Sequence, residues 1–215
     1  SIGGVALPLS AWRLRRHKRR RPHAWRQNGA RRRRGVADWP QLLERDDVLI
    51  LDTETTGLDR SAEVIEVALI NTRGEALLHR LALPQDGIPR SASRVHGLTL
   101  DVLQQLGAGS WTALHDELAP VLAGAALVLV YNAAFDRRLL QQTSARHELR
   151  LPTVSWRCAM NDYAAWHRQQ RGARRGYGLE PAFRRECGDD IDQQHRALSD
   201  CRMVLALMRA VAALV

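Results

Sequence analysis

Asp52 and Glu54 stand two residues apart at the end of the apolar run Val48-Leu49-Ile50-Leu51. On a strand that spacing sends both carboxylates to one face and Thr53 to the other. Two acids side by side at the edge of a buried sheet repel each other and lose hydration, which is costly unless a cation or a shared proton compensates. A divalent metal ion is the simplest compensation, although turn-forming acids at strand ends are common. Further along, Asn132 and Asp136 lie four residues apart at the start of a helical pattern and so share a face. Near the C-terminus, His195 falls in a loop and Asp200 at the start of the last helix. Each of these also has a plainer reading, with Asn132 as an N-cap, Asp136 as a solvated acid, and Ser199 and Asp200 as ordinary N-terminal capping.

Oxygen ligands without cysteine favour magnesium or manganese over zinc. Four carboxylates exceed what one octahedral magnesium ion usually recruits, because that ion keeps several waters and takes phosphate oxygens as ligands. The set points to a two-metal phosphoryl-transfer site, in which paired ions clamp the attacking water and the leaving oxygen. His195 is the side chain able to take a proton from that water.

The elements that must position these residues read as follows. Val48 to Leu51 has the continuous apolar character of a strand buried on both faces. Residues Val64 to Ile70 and Ala76 to Leu83 form two more strands around a turn at Asn71-Thr72-Arg73-Gly74, completing an antiparallel meander. Helices are expected over 98–106 and 111–122, capped by Thr99 and Ser110, and Ala126 to Val130 is a further strand. Residues 132–145, 159–171, 180–187 and 199–215 complete the helices; in the last, Cys201, Val204, Leu205, Met208, Val211, Ala212 and Val215 share one face. Strands first, then alternating helix and strand, argue for a mixed sheet with helices on both faces. Gly172 to Gly178 reads as a surface loop.

With 215 residues the chain suits one domain plus an appendage. No stretch approaches the roughly 18 consecutive apolar residues of a membrane span, which argues against a membrane protein. Three cysteines without CxxC spacing suggest neither a disulfide framework nor a zinc knuckle and fit a reducing, cytoplasmic environment. The net charge of +9 is unevenly spread: residues 1–36 hold 12 basic residues and no acid, and the remainder carries 20 basic against 23 acidic, a net of −3. The basic runs Arg15 to Arg21 and Arg31 to Arg34 repel themselves and have little apolar surface, so a disordered extension over 1–36 and a folded domain over 37–215 are expected. That extension reads as a soluble leader, as an arm that binds polyphosphate by counterion release, or as an organelle transit peptide.

Asp52-Thr53-Glu54-Thr55-Thr56-Gly57, Asn132-Ala133-Ala134-Phe135-Asp136 and His195-Arg196-Ala197-Leu198-Ser199-Asp200 resemble, in order and spacing, the three motifs of the DEDDh 3′-to-5′ exonucleases. That family includes the proofreading epsilon subunit of bacterial replicative DNA polymerase, ribonuclease T and enzymes of the exodeoxyribonuclease X type. The resemblance covers about residues 46 to 212 and implies an α/β, ribonuclease-H-like fold, a mixed five-stranded sheet flanked by helices. It assigns Asp52, Glu54, Asp136 and Asp200 to two magnesium or manganese ions and His195 to general base catalysis. Thr55 and Leu58 match positions that hold the 3′-terminal nucleotide, Leu58 as an apolar wedge, and Val95-His96-Gly97-Leu98-Thr99 resembles a segment lining the same pocket. His96 and Asn132 are accordingly expected to contact substrate. One departure is visible: the residue before Asn132 is usually His in the family and here is Tyr131.

The function implied is metal-dependent 3′-to-5′ hydrolysis of phosphodiester bonds in single-stranded or frayed DNA, releasing 5′-mononucleotides. An RNA-trimming enzyme of the same family and a catalytically idle nucleic-acid-binding module remain open beside it. The implied partners are single-stranded 3′ ends, DNA favoured, with transient association with replication or repair machinery and no membrane. Only 15 residues follow Asp200, without the polymerase-binding extension of the epsilon subunit. Residues 135–140 and 156–160 look closer to the standalone exodeoxyribonuclease X type.

Overall fold

The computed structural model describes residues 35–171, 177–189 and 195–215. The arginine-rich residues 1–34 and most of the loop expected over 172–178 lie outside the described residues. Five strands, β1 (Val48–Thr55), β2 (Val64–Asn71), β3 (Ala76–Leu81), β4 (Leu127–Val130) and β5 (Trp156–Cys158), form one sheet in the order β3-β2-β1-β4-β5. β1 pairs antiparallel with β2 and β2 with β3, whereas β1–β4 and β4–β5 are parallel. This is the mixed, helix-flanked sheet expected.

Both faces of β1 are buried, which is why its sequence does not alternate in polarity. Val48 and Ile50 pack with α8 (Ala197–Ala212) through Cys201, Val204, Leu205, Met208 and Val211. Leu49 and Leu51 pack on the other face against α4 (Trp111–Gly124) and α5 (Ala133–Arg146) through Trp111, Leu114, Leu118, Leu122, Leu139 and Leu140. The apolar stripe of α8 ends near Ala212; Val215 lies beyond the helix and is exposed.

Four elements differ from the sequence expectation. α1 (Trp39–Leu43) precedes the sheet, with Pro in its first turn and the Trp39 indole fully buried. α2 (Arg90–His96) follows Pro89 and closes on Gly97 in the left-handed conformation, a proline-to-glycine bracketing that marks a short helix. β5 has three half-buried residues, too few to show a period. α8 starts at Ala197 rather than Ser199, so the carboxyl group of Asp200 sits in its first turn and Ser199 is not its cap. The caps expected of Thr99 and Ser110 are present: each side chain accepts a hydrogen bond, from the N–H of Val102 on α3 (Leu100–Gln105) and of Ala113 on α4. α6 (Ala159–Arg171) and α7 (Leu179–Cys187) complete the fold. No helix among the described residues is long and apolar enough to cross a membrane.

Candidate active site

Because β1 alternates, Asp52 and Glu54 point to the α8 face, and the first turn of α8 brings Asp200 to them. One carboxylate oxygen from each of these three lies within 4.8 Å of the others. Thr53 points to the α5 face, and there its Oγ1 donates to Oδ1 of the buried Asp136 at 2.8 Å. Three of the four expected carboxylates therefore form one group, and the fourth approaches from the opposite face of the strand, tied to Thr53.

The group is short of positive charge. Burial, then the charges of Asp136, Asp200, Glu54 and Glu66, hold the Asp52 carboxyl well above the usual carboxylate range. Burial, then Asp200, Glu66 and Asp136, push Glu54 up to about 9, with Arg196 opposing. Burial lifts Asp136 to about 6 against the hydrogen bond from Thr53, and lifts Asp200 to about 6 against the nearby His195. Oδ1 of Asp200 is buried without a hydrogen-bond partner. Clustered, dehydrated carboxylates with an unpaired oxygen fit a hard divalent cation, which would replace the missing donors and reverse the repulsion.

His195 adopts a left-handed backbone (φ 43°), uncommon for a residue with a side chain, one residue ahead of Arg196, the N-cap of α8. His96 is buried at the end of α2; its Nε2 lies 3.2 Å from the Thr55 carbonyl and its Nδ1 accepts from the Leu98 N–H at 3.1 Å. Both ring nitrogens thus face backbone, so His96 pins α2 to the end of β1 rather than offering a free donor to substrate. Thr55 Oγ1 donates to the Gly57 carbonyl at 2.8 Å. Asn132 is exposed at the N-cap of α5, where its carbonyl accepts from Phe135 and Asp136 while its side chain makes no cap.

Leu58 is 77% exposed, unusual for leucine, and its loop is held from behind. Arg138 donates to the carbonyls of Leu58 (2.9 Å) and Asp59 (3.2 Å), and Gln142 donates to the carbonyls of Asp59 and Ala62. Tyr131 is buried, and its hydroxyl donates to the Tyr177 carbonyl at 2.5 Å. It faces the packing beneath α6 and α7, which explains how a phenol fits where the family usually has an imidazole.

Three participants escaped the sequence reading. Thr53 and Arg138 act through hydrogen bonds to residues 83 and about 80 positions away, which no local pattern reveals. Glu66 left a signal: it is the only acid in the otherwise apolar Val64–Ile70 run, and its side chain is fully buried. It lies opposite Glu54 in the β1–β2 ladder.

The model of the RNase T exonuclease family matches residues 49–208. The chain is 35% identical over 176 residues to the uncharacterized exonuclease CP81 of Escherichia phage 186, covering 78% of this chain and 89% of that protein. Among solved structures it is similar to exonuclease X in complex with 5′-overhanging duplex DNA (22% identity, TM-score 0.56, 77% of this chain and 92% of that one). It is likewise similar to the nuclease domain of 3′hExo, a DEDDh family member bound to rAMP (17% identity, TM-score 0.62, 79% and 94%).

Proposed function

The chain belongs to the RNase T family of exonucleases, in its DEDDh 3′-to-5′ branch, and from that premise we propose that it removes 5′-mononucleotides from the 3′ ends of single-stranded or frayed DNA. The observation that carries the reading is the convergence of Asp52, Glu54 and Asp200 within 4.8 Å, beside His195 and with the Asp200 Oδ1 unpaired. These three, joined by Asp136, are the residues to hold two magnesium or manganese ions. Such ions, when bound, neutralise the carboxylates and stabilise the charge that develops on the phosphate.

The chain's own residues supply the rest. His195 takes the proton from the attacking water as general base. Leu58, projecting from a loop that α5 clamps, packs against the terminal base, and Thr55 and Asn132 border the same end of the sheet. His96 shapes the wall by fixing α2 to Thr55. The arginine-rich residues 1–34 add an electrostatic arm to the domain, whose core already includes Val36, one residue before the expected boundary at 37.

DNA is proposed over RNA because residues 135–140 and 156–160 look closer to the standalone exodeoxyribonuclease X type. The test is to incubate DNA and RNA oligonucleotides of one sequence, labelled at the 5′ end, with magnesium, then with EDTA. A ladder shortening from the 3′ end of DNA first, abolished by EDTA, is expected. Faster trimming of RNA would reassign the substrate, and binding without cleavage would leave only a nucleic-acid-binding module.

A further inference from the structure

Glu66 is a fully buried carboxylate on β2 that the hydrolytic scheme leaves without a task. It lies directly opposite Glu54, and like charges facing across two strands destabilise the pair unless something intervenes. What intervenes is Arg196. Its Nε donates to Oε2 of Glu66 at 2.8 Å and its Nη2 to Oε1 at 3.0 Å, a two-pronged grip on one carboxylate. Oε1 also accepts from His79 Nε2 at 2.7 Å, and the Ala197 N–H approaches Oε2 at 3.4 Å. Every acceptor site of the buried carboxylate is thereby engaged, the condition under which a buried charge is tolerated.

The location of the grip matters more than its strength. Arg196 directly follows His195, and Ala197 opens the helix that carries Asp200. His195 is held at φ 43°, a conformation unfavourable for a residue with a side chain, which persists only where the surroundings over-determine it. On its C-terminal side the backbone is held at two points, the Arg196 carbonyl accepting from the Asp200 N–H at 2.9 Å and the Arg196 side chain gripping Glu66. We propose that Glu66 is a positioning residue for hydrolysis: by gripping Arg196 and the first N–H of α8, it sets the backbone of residues 195–197 and aims His195 at the reacting water. The proposal rests on the exonuclease reading above and on His195 as its base.

The experiment compares Glu66→Gln, which keeps the shape and removes the charge, in the wild-type background and in His195→Ala, using a short single-stranded DNA at saturating magnesium. His195→Ala alone is expected to lower kcat by roughly 10²–10⁴, leaving measurable residual turnover. In the wild-type background Glu66→Gln should lower kcat by roughly 10- to 100-fold with KM little changed, as displacement of a catalytic group by an ångström does. In the His195→Ala background the same change should cost almost nothing further, because the group it aims is gone. Equal losses in both backgrounds, or no loss in either, overturn the proposal, since a merely structural role does not depend on His195. Arg196→Gln repeats the comparison at a partly exposed position and decides it if Glu66→Gln fails to fold. A wild-type chain unable to shorten any oligonucleotide with magnesium or manganese defeats the exonuclease reading instead.

Discussion

Asp52 feels the charge of every other carboxylate of the site, and its substitution separates charge from packing. Replacing it with Asn keeps the volume and removes a charge that burial, Asp136, Asp200 and Glu54 all oppose. The metal-free Asp52→Asn protein should therefore melt no lower than the wild type, while cleavage falls by orders of magnitude because the cation loses a charged ligand. Differential scanning calorimetry in EDTA and a timed digestion in magnesium read the two effects independently. Near-wild-type turnover would remove Asp52 from the metal site. The same contrast holds at Thr53, where one hydroxyl decides whether Asp136 rests against the strand.

At the scale of elements, α5 does two things with two faces. Its first turn presents Asp136, and further along Arg138 and Gln142 hold the carbonyls of the loop that carries Leu58. Arg138 also lies over the Phe135 ring, 5.5 Å from its centroid, which limits its freedom to swing away. Arg138→Ala removes two loop hydrogen bonds worth about 1 kcal/mol each and should raise KM roughly 5- to 30-fold. The value of kcat should change little, since no carboxylate moves. Steady-state kinetics on oligonucleotides with paired and unpaired 3′ ends check this, and a variant that loses kcat at constant KM would show that the clamp serves the chemistry instead. Helix α2 is tied to the sheet by a different device, the His96 ring between Thr55 and Leu98.

For the whole molecule, the raised carboxyls make metal-free stability depend on pH with a definite sign. A group whose folded pKa is raised binds its proton more tightly when folded, so its contribution is complete below the ordinary carboxylate range near 4 and is lost as pH rises. The loss should run through about 6 for Asp136 and Asp200 and on toward about 9 for Glu54. Glu66 shows the opposite: burial alone would raise it, but hydrogen bonds from His79 and Arg196 hold it below its usual value, so its contribution is already present throughout this window. Melting temperatures in EDTA are expected to fall from pH 5 to pH 9, and magnesium to offset the fall most at the alkaline end, where it competes with fewer protons. A Tm in EDTA that climbs over this range would contradict the placement of these carboxyls. Charge also acts at long range: residues 1–36 carry 12 basic residues while the rest nets −3. Affinity for single-stranded DNA should fall with salt at a slope of about −0.7 per phosphate contacted. Deleting residues 1–34, which removes all 12 of those basic residues and stops short of the buried Val36, should flatten that slope by several contacts and spare kcat on a short oligonucleotide. An unchanged slope would assign the arm to some other ligand.

The sequence by itself determined what local periodicity and capping encode. The doubly apolar β1 with its two same-face acids, the β2–β3 meander, the capped helices at Thr99 and Ser110 and the buried stripe of α8 could all be read because each is settled within a few residues. The motif order likewise carried the family. Only the tertiary structure decided how the acids divide. Thr53 and Asp136, 83 residues apart, meet on the face opposite Asp52, and Glu66 and Arg196, 130 apart, meet beneath His195. Tyr131 reaches the backbone 46 residues away, so an expected substrate-side difference became an internal bond. These contacts depend on strand order and on which helix covers which face, and neither is encoded in the spacing of neighbouring residues.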